Sequence, residues 1–213
     1  MTKLTGQQIA AEKLDGWAYL AGSLRTRITT PDFATGLALV NAIGAAAEEM
    51  NHHPDVDLRY TTVAVRLTSH DTGGVTSRDI RLAHRIDDLA TAAGLATSRT
   101  EVAHLEVGLD TPDQSAIAGF WTAVLAGTRD GDDIRDPREV LPLLWFQHSG
   151  SEEPRQRWHY DLWLDPAQVQ PRIDAALAAG GTLVSDENAP AFWVLADAEG
   201  NRMCICTWQD RAH

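Results

Sequence analysis

Glu48-Glu49-Met50-Asn51-His52-His53-Pro54, then Tyr60, then His70-Asp71-Thr72-Gly73-Gly74-Val75-Thr76-Ser77-Arg78-Asp79-Ile80, is the stretch that decides the fold of the first half of this chain. Just before it, Phe33, Leu37, Val40, Gly44 and Ala47 recur at helical spacing. A helix with Thr30 as N-cap and Pro31 at its first position is therefore expected to run to about Met50. It stops before His52-His53-Pro54, because the residue ahead of a proline avoids helical geometry. Val63, Val65 and Leu67 alternate with Thr62, Ala64, Arg66 and Thr68, which predicts a strand with one wet face. Asp71-Thr72-Gly73-Gly74 reads as a turn. Thr76-x-x-Asp79 is a capping-box pattern, opening a helix with Ile80, Ala83, Ile86, Leu89, Ala90 and Ala93 mostly on one face.

Working outward, Leu24, Thr26 and Ile28 alternate with Arg25, Arg27 and Thr29, a second half-wet strand. Thr5-x-x-Gln8 caps a short helix expected to end near Asp15-Gly16. The order helix, strand, helix, strand, helix predicts an α+β domain, an antiparallel sheet covered by helices. Gly94 to Glu101 reads as a linker.

The second half differs in character. Residues 1–98 carry 9 Lys and Arg against 11 Asp and Glu, whereas residues 99–213 carry 9 against 19, and six of the seven Trp lie there. The break sets two domains, residues 1–96 and 102–213. Strands are expected at Ala103 to Leu109, Leu141 to Gln147 and Trp158 to Leu164, with a helix through Ile117, Phe120 and Trp121 after the first of them. Asp165-Pro166 opens another helix, ending at Gly180-Gly181. Three short strands follow, near Leu183, Phe192 to Leu195 and Arg202 to Trp208. The element order is β-α-β and then β-α-β-β-β. Arg129 to Arg138 reads as a solvated acidic loop; its Asp130-Gly131-Asp132-Asp133 opens like a calcium loop but lacks the later Glu.

A net charge of -12 argues against nucleic acid and anionic membrane as partners. No apolar run approaches the roughly 20 residues of a membrane span, and the first residues do not form a signal peptide. Cys204 and Cys206 read as reduced cysteines of a strand, consistent with a cytoplasmic protein. The informative chemistry is histidine. Imidazole titrates near neutrality, at roughly 6.5. His52, His53 and His70 together can give and take protons, provided the fold brings His70 back to the pair. Glu48 stands four residues before His52 and is expected to orient it from the same helical face.

Residues 5 to about 95 resemble pterin-4a-carbinolamine dehydratase. The shared pattern is Glu48-x-x-x-His52-His53-Pro54, the aromatic Tyr60, a strand, then His70-Asp71-x-Gly73-Gly74-Val75-Thr76-x-x-Asp79-Ile80; Gly16-Trp17 and Asp32-Phe33 also fit. Asp55-Val56-Asp57-Leu58 stands where the family has an aromatic. The resemblance implies an antiparallel sheet with helices on one side. It implies a hydro-lyase that removes water from 4a-hydroxytetrahydropterin without a cofactor, in a homo-oligomer. Carried over, His52, His53 and His70 are catalytic, with His52 and His70 in acid/base roles. Glu48, Pro54, Tyr60, Asp71 and Asp79 contact the pterin.

Residues 102–208 resemble the glyoxalase-like branch of the vicinal oxygen chelate family. The resembling pieces include His104-Leu105-Glu106-Val107, Leu144-Trp145-Phe146-Gln147, His159-Tyr160-Asp161-Leu162 and Asp197-x-Glu199-Gly200-Asn201. This implies paired βαβββ modules. His104, Gln147 and His159 match ligand positions of metal-dependent members, while the last position falls on Cys204. A metal-free cup that binds a small molecule or serves as an interaction surface is the expectation. A metal-dependent lyase or dioxygenase in this half, and a dehydratase fold used as an oligomerisation or binding module, are the alternatives.

Overall fold

The computed structural model of the protein describes residues 2–149, 157–196, 200 and 202–211. Asp197, Glu199 and Asn201, quoted for the second resemblance, lie outside the described residues. The chain divides into two compact units: Met1–Ala103 with Leu164–Pro166 and Trp208–His213, and His104–Trp163 with Ala167–Thr207.

In the first unit, α1 (Gly6–Ala11) opens on the expected capping box, Thr5 with Gln8. It ends sooner than expected, and Lys13 then takes a left-handed φ of 54°. β1 (Ala18–Leu20), β2 (Ser23–Thr29), β3 (Asp55–Arg59) and β4 (Thr62–Leu67) form an antiparallel sheet in the order β1-β2-β4-β3. β3 was not foreseen: Asp-Val-Asp-Leu-Arg is a charged sequence, the kind an edge strand carries. The expected linker contains β5 (Thr97–Ser98), which pairs with β2.

α2 (Phe33–Met50) and α3 (Ser77–Ala92) close the core. Leu24, Ile28, Val63, Val65, Leu67 and Ile86 are at most 2% exposed. Burying each such side chain contributes about 1.5–3 kcal/mol. The N-cap of α2 is Asp32, not Thr30; its Oδ1 accepts from Thr35 N at 2.7 Å, while Thr30 is buried and donates to the Asp32 carbonyl. The buried stripe of α2 also differs from expectation. It is Gly36, Leu39, Ile43, Ala46 and Ala47, leaving Phe33 and Leu37 exposed. From Phe33 to Ala47 only Thr35 and Asn41 are polar, so spacing alone does not choose a face. Gly36 lets the helix approach β3 closely: a Cβ there would lie 2.9 Å from Leu58 Cδ1.

The second unit repeats one pattern twice. β6 (His104–Thr111), α4 (Gln114–Val124), β7 (Thr128–Asp130), β8 (Asp133–Arg135) and β9 (Leu144–His148) are followed by β10 (Trp158–Trp163), α5 (Pro166–Ala178), β11 (Thr182–Ser185), β12 (Phe192–Ala196) and β13 (Arg202–Cys206). The sheet order β11-β12-β13-β10-β6-β9-β8-β7 places the two modules back to back across the antiparallel β6–β10 pair. Part of the expected acidic loop is the β7–β8 hairpin, turning at Gly131 with φ 60°. Both halves are thus βαβββ, where the sequence predicted a shorter first module. Leu109, Ile134 and Leu144 form a core on the face where Ile117 and Trp121 of α4 pack. Cys204 and Cys206 are unbridged and, two apart on β13, share a sheet face. Among the described residues no helix is long and apolar enough to cross a membrane.

Candidate active site

The end of α2 determines where the two adjacent histidines go. Asn51 caps the helix in the left-handed conformation, φ 47° and ψ 45°. That turn sends His52 inward and His53 outward. His52 is 8% exposed, and its Nε2 lies 2.8 Å from Asp79 Oδ1. His53 points to solvent, with Nε2 3.1 Å from Glu48 Oε1. The expected Glu48–His52 pairing is therefore replaced by Glu48–His53, because the helix ends two residues too early for an i,i+4 contact.

Asp79 sits on the first turn of α3 and is fully buried. Its Oδ2 accepts from Thr76 N at 2.7 Å, Thr76 Oγ1 at 3.1 Å and Ser69 Oγ at 2.7 Å. One carboxylate thus completes the helix cap and holds an imidazole. Four donors satisfy it, which is what a buried carboxylate requires. The carboxylate accepts, so His52 Nε2 carries the proton, and a ring with that single proton presents a lone pair at Nδ1.

His70 follows Ser69 directly, so the same network anchors its backbone. The turn it sits on is closed by Ser69 N to Gly74 O at 3.0 Å and Thr72 N to Ser69 O at 3.1 Å. Gly73 has φ 62°, in the left-handed region that favours glycine. His70 and Asp71 are exposed. Asp71 accepts from Arg78, whose hydrogen bond and charge hold its carboxyl below the usual range.

His52, His53, Pro54, His70, Asp71 and Asp79 lie at the same end of the sheet, where β3 begins and β4 ends. Tyr60 does not join them. It lies in the β3–β4 turn, 76% exposed, at the opposite end of a five-residue strand. At about 3.3 Å per residue that is roughly 17 Å away. Ser69 and Thr76 are the polar groups the sequence reading left out of the site. Ser69 gave no signal beyond standing beside His70; Thr76 was read only as a cap.

In the second unit the metal-ligand candidates do not converge. His104 is opposite Trp163 and His159 is opposite Gly108, four residues apart along β6. That spacing is about 13 Å. His104 Nε2 lies 3.8 Å from Glu106 Oε1, His159 Nδ1 lies 3.3 Å from Asp110 Oδ1, and Gln147 is exposed opposite Asp110. Among the described residues no group of three His, Cys, Asp or Glu is arranged to hold a metal ion. The residues do not fit the divalent site that the metal-dependent members carry.

Comparison with known protein families finds a match in each half of the chain. The family described as pterin 4 alpha carbinolamine dehydratase matches residues 2–89, and the glyoxalase-like domain matches residues 106–206. A Mycobacterium bovis protein provisionally named pterin-4-alpha-carbinolamine dehydratase is 44% identical over 89 residues, which is 41% of this chain and 95% of that protein. A similarly named protein of Sulfurisphaera tokodaii is 40% identical over 93 residues, 43% of this chain and all of that protein. Among solved structures, a transcriptional coactivator/pterin dehydratase from Brucella melitensis aligns with 28% identity and a TM-score of 0.41, over 42% of this chain and 99% of that one. By its first 89 residues, the chain belongs to the pterin 4 alpha carbinolamine dehydratase family, and a glyoxalase-like domain follows in the same chain.

Proposed function

We propose that the N-terminal unit is a hydro-lyase that dehydrates pterin 4a-carbinolamine to the quinonoid dihydropterin. The reaction breaks the C4a–O bond, removes the N5 proton and forms the C4a–N5 double bond; water leaves. It needs one proton donor and one acceptor, and no redox partner. His52 acts as the acceptor through Nδ1, because Asp79 holds its Nε2–H. His70 donates to the departing hydroxyl as imidazolium. His53, paired with Glu48, binds the pterin. The observation that carries this reading is the buried His52–Asp79 pair, tied through Ser69 to the turn bearing His70.

The test is direct. Dehydration of 4a-hydroxytetrahydropterin is followed with the full chain and with His52→Ala and His70→Ala. Each imidazole contributes about 10²–10⁴-fold in this role. Undiminished turnover in His52→Ala removes its assignment. The reading also includes self-association, supported by the exposed Phe33 and Leu37 on α2, and a cytoplasmic setting, which the unbridged cysteines fit.

A further inference from the structure

One place in the second unit collects polar groups whose hydrogen-bonding capacity is unmet. Gly108 on β6 stands opposite His159 of β10 on one side and Trp145 of β9 on the other. Asp110, two residues on, shares their face, and α4 packs on the opposite one. A Cβ on Gly108 would lie 2.4 Å from His159 Nε2, so the glycine lets the imidazole lie across the strand. The Trp145 ring meets the imidazole edge-on at 5.0 Å. The side chains are sheltered: His159 is 14% exposed and Asp110 23%.

Within this cluster the buried Trp145 Nε1 donor and the buried Asp110 Oδ1 acceptor make no hydrogen bond among the described residues. Asp110 Oδ1 is 3.3 Å from His159 Nδ1, an ion-pair distance without hydrogen-bond geometry. Buried donors and acceptors without partners are rare in folded proteins, and each calls for a functional or structural reason. In the tautomer protonated at Nδ1, the imidazole offers Nε2 as a second acceptor. The cluster therefore presents two acceptors and one donor around a planar aromatic wall. Its complement is a planar heterocycle with two N–H donors beside a carbonyl. The 2-amino-4-oxo edge of a pterin has that pattern. Glu106 and Asp161, opposite one another on the same face, keep the surroundings acidic and disfavour an anionic ligand.

We propose that Asp110, Trp145 and His159 form a second, metal-free site that binds a pterin by its 2-amino-4-oxo edge. The choice of pterin among such heterocycles rests on the dehydratase reading of the first unit. Isothermal titration of the full chain with 7,8-dihydrobiopterin should give about two equivalents per chain. His52→Ala with His70→Ala should abolish one of them, and Asp110→Asn with Trp145→Phe the other. Lumazine, with oxygen in place of the 2-amino group, should bind the second site at least about tenfold more weakly. Asp110→Asn alone, which keeps side-chain shape, should weaken that site even where the double variant fails to fold. One equivalent that survives in His52→Ala with His70→Ala and disappears in Asp110→Asn with Trp145→Phe supports this site and counts against the dehydratase reading. A single equivalent lost with the two histidines, absence of any binding, or an unchanged titration in Asp110→Asn overturns it.

Discussion

Replacing Asp79 by Asn is the sharpest probe of the N-terminal site, because it changes chemistry and almost no volume. Three donors, Thr76 N, Thr76 Oγ1 and Ser69 Oγ, converge on Oδ2. The amide oxygen takes that side, since an NH₂ group there would face donors. The amide nitrogen then lies where Oδ1 stood, 2.8 Å from His52 Nε2. Two N–H groups cannot share that contact, so the neutral imidazole gives up its Nε2 proton and carries it on Nδ1 instead. The ring now presents a donor where the reaction needs an acceptor. Turnover should fall by about 10²–10⁴-fold. Charge-assisted bonds become neutral ones, at a cost of about 1–2 kcal/mol. For a unit of this size that lowers Tm by roughly 5–15 °C. Asp79→Ala is the blunter change; it strands a buried imidazole and three donors and costs about 3–5 kcal/mol. The assays are dehydration kinetics, thermal unfolding and ¹⁵N spectra of the imidazole. A folded Asp79→Asn protein with wild-type turnover and an unprotonated Nδ1 would refute the reasoning.

Other consequences follow from the same geometry. His53→Ala should leave stability within about 0.5 kcal/mol in urea titration, because both partners of the Glu48 pair are more than half exposed, and should raise KM more than it lowers kcat. Ile86→Ala opens a cavity at a fully buried position and should cost about 2–5 kcal/mol in the same titration. Asp32 and Asp113 cap α2 and α4, and hydrogen bonds from Thr35 and Ser115 hold their carboxyls below the usual range. Groups depressed in the folded state stabilise above the unfolded-state pKa, about 4, and lose that contribution as pH falls through the folded values. Asp32→Asn should therefore narrow the stability difference between neutral and acid pH, read by denaturation at each. Phe33→Asp with Leu37→Asp should shift the particle measured by light scattering toward the monomer.

Local patterns in the sequence reached most of the fold. Two capping boxes, two half-wet strands and the Gly73-Gly74 turn are short-range features with short-range causes. What escaped notice depended on long-range contacts. The face α2 buries, on which Gly36 meets Leu58 of β3, is not encoded in the spacing of an almost wholly apolar helix. β5 exists because Thr97 and Ser98 find β2, about 70 residues earlier. In the site, the His52–Asp79 pairing joins residues 27 apart and is not encoded in the motif's spacing. Asp79 was read as a pterin contact and is a buried support for His52. The resemblance groups Tyr60 with the site, and the hairpin carries it to the far end.

The pairing has a consequence for how this site is built. His52 comes from the exit of α2 and Asp79 from the first turn of α3, so their contact joins the ends of the two core helices. The carboxylate that fixes the imidazole is the one that caps α3 and anchors Ser69. Orientation of the acceptor is therefore secured by bonds the fold needs anyway, and no separate ordering cost falls on binding. His53 and His70 are different. Both are exposed, and each is held mainly through its backbone or a single surface ion pair. Their ordering must come with the substrate. On the proposed dehydratase reading, the site divides into a fixed acceptor and adaptable partners. Changes at Asp79, Ser69 or Thr76 should move stability and turnover together, while changes at His53 or His70 should move turnover or KM alone.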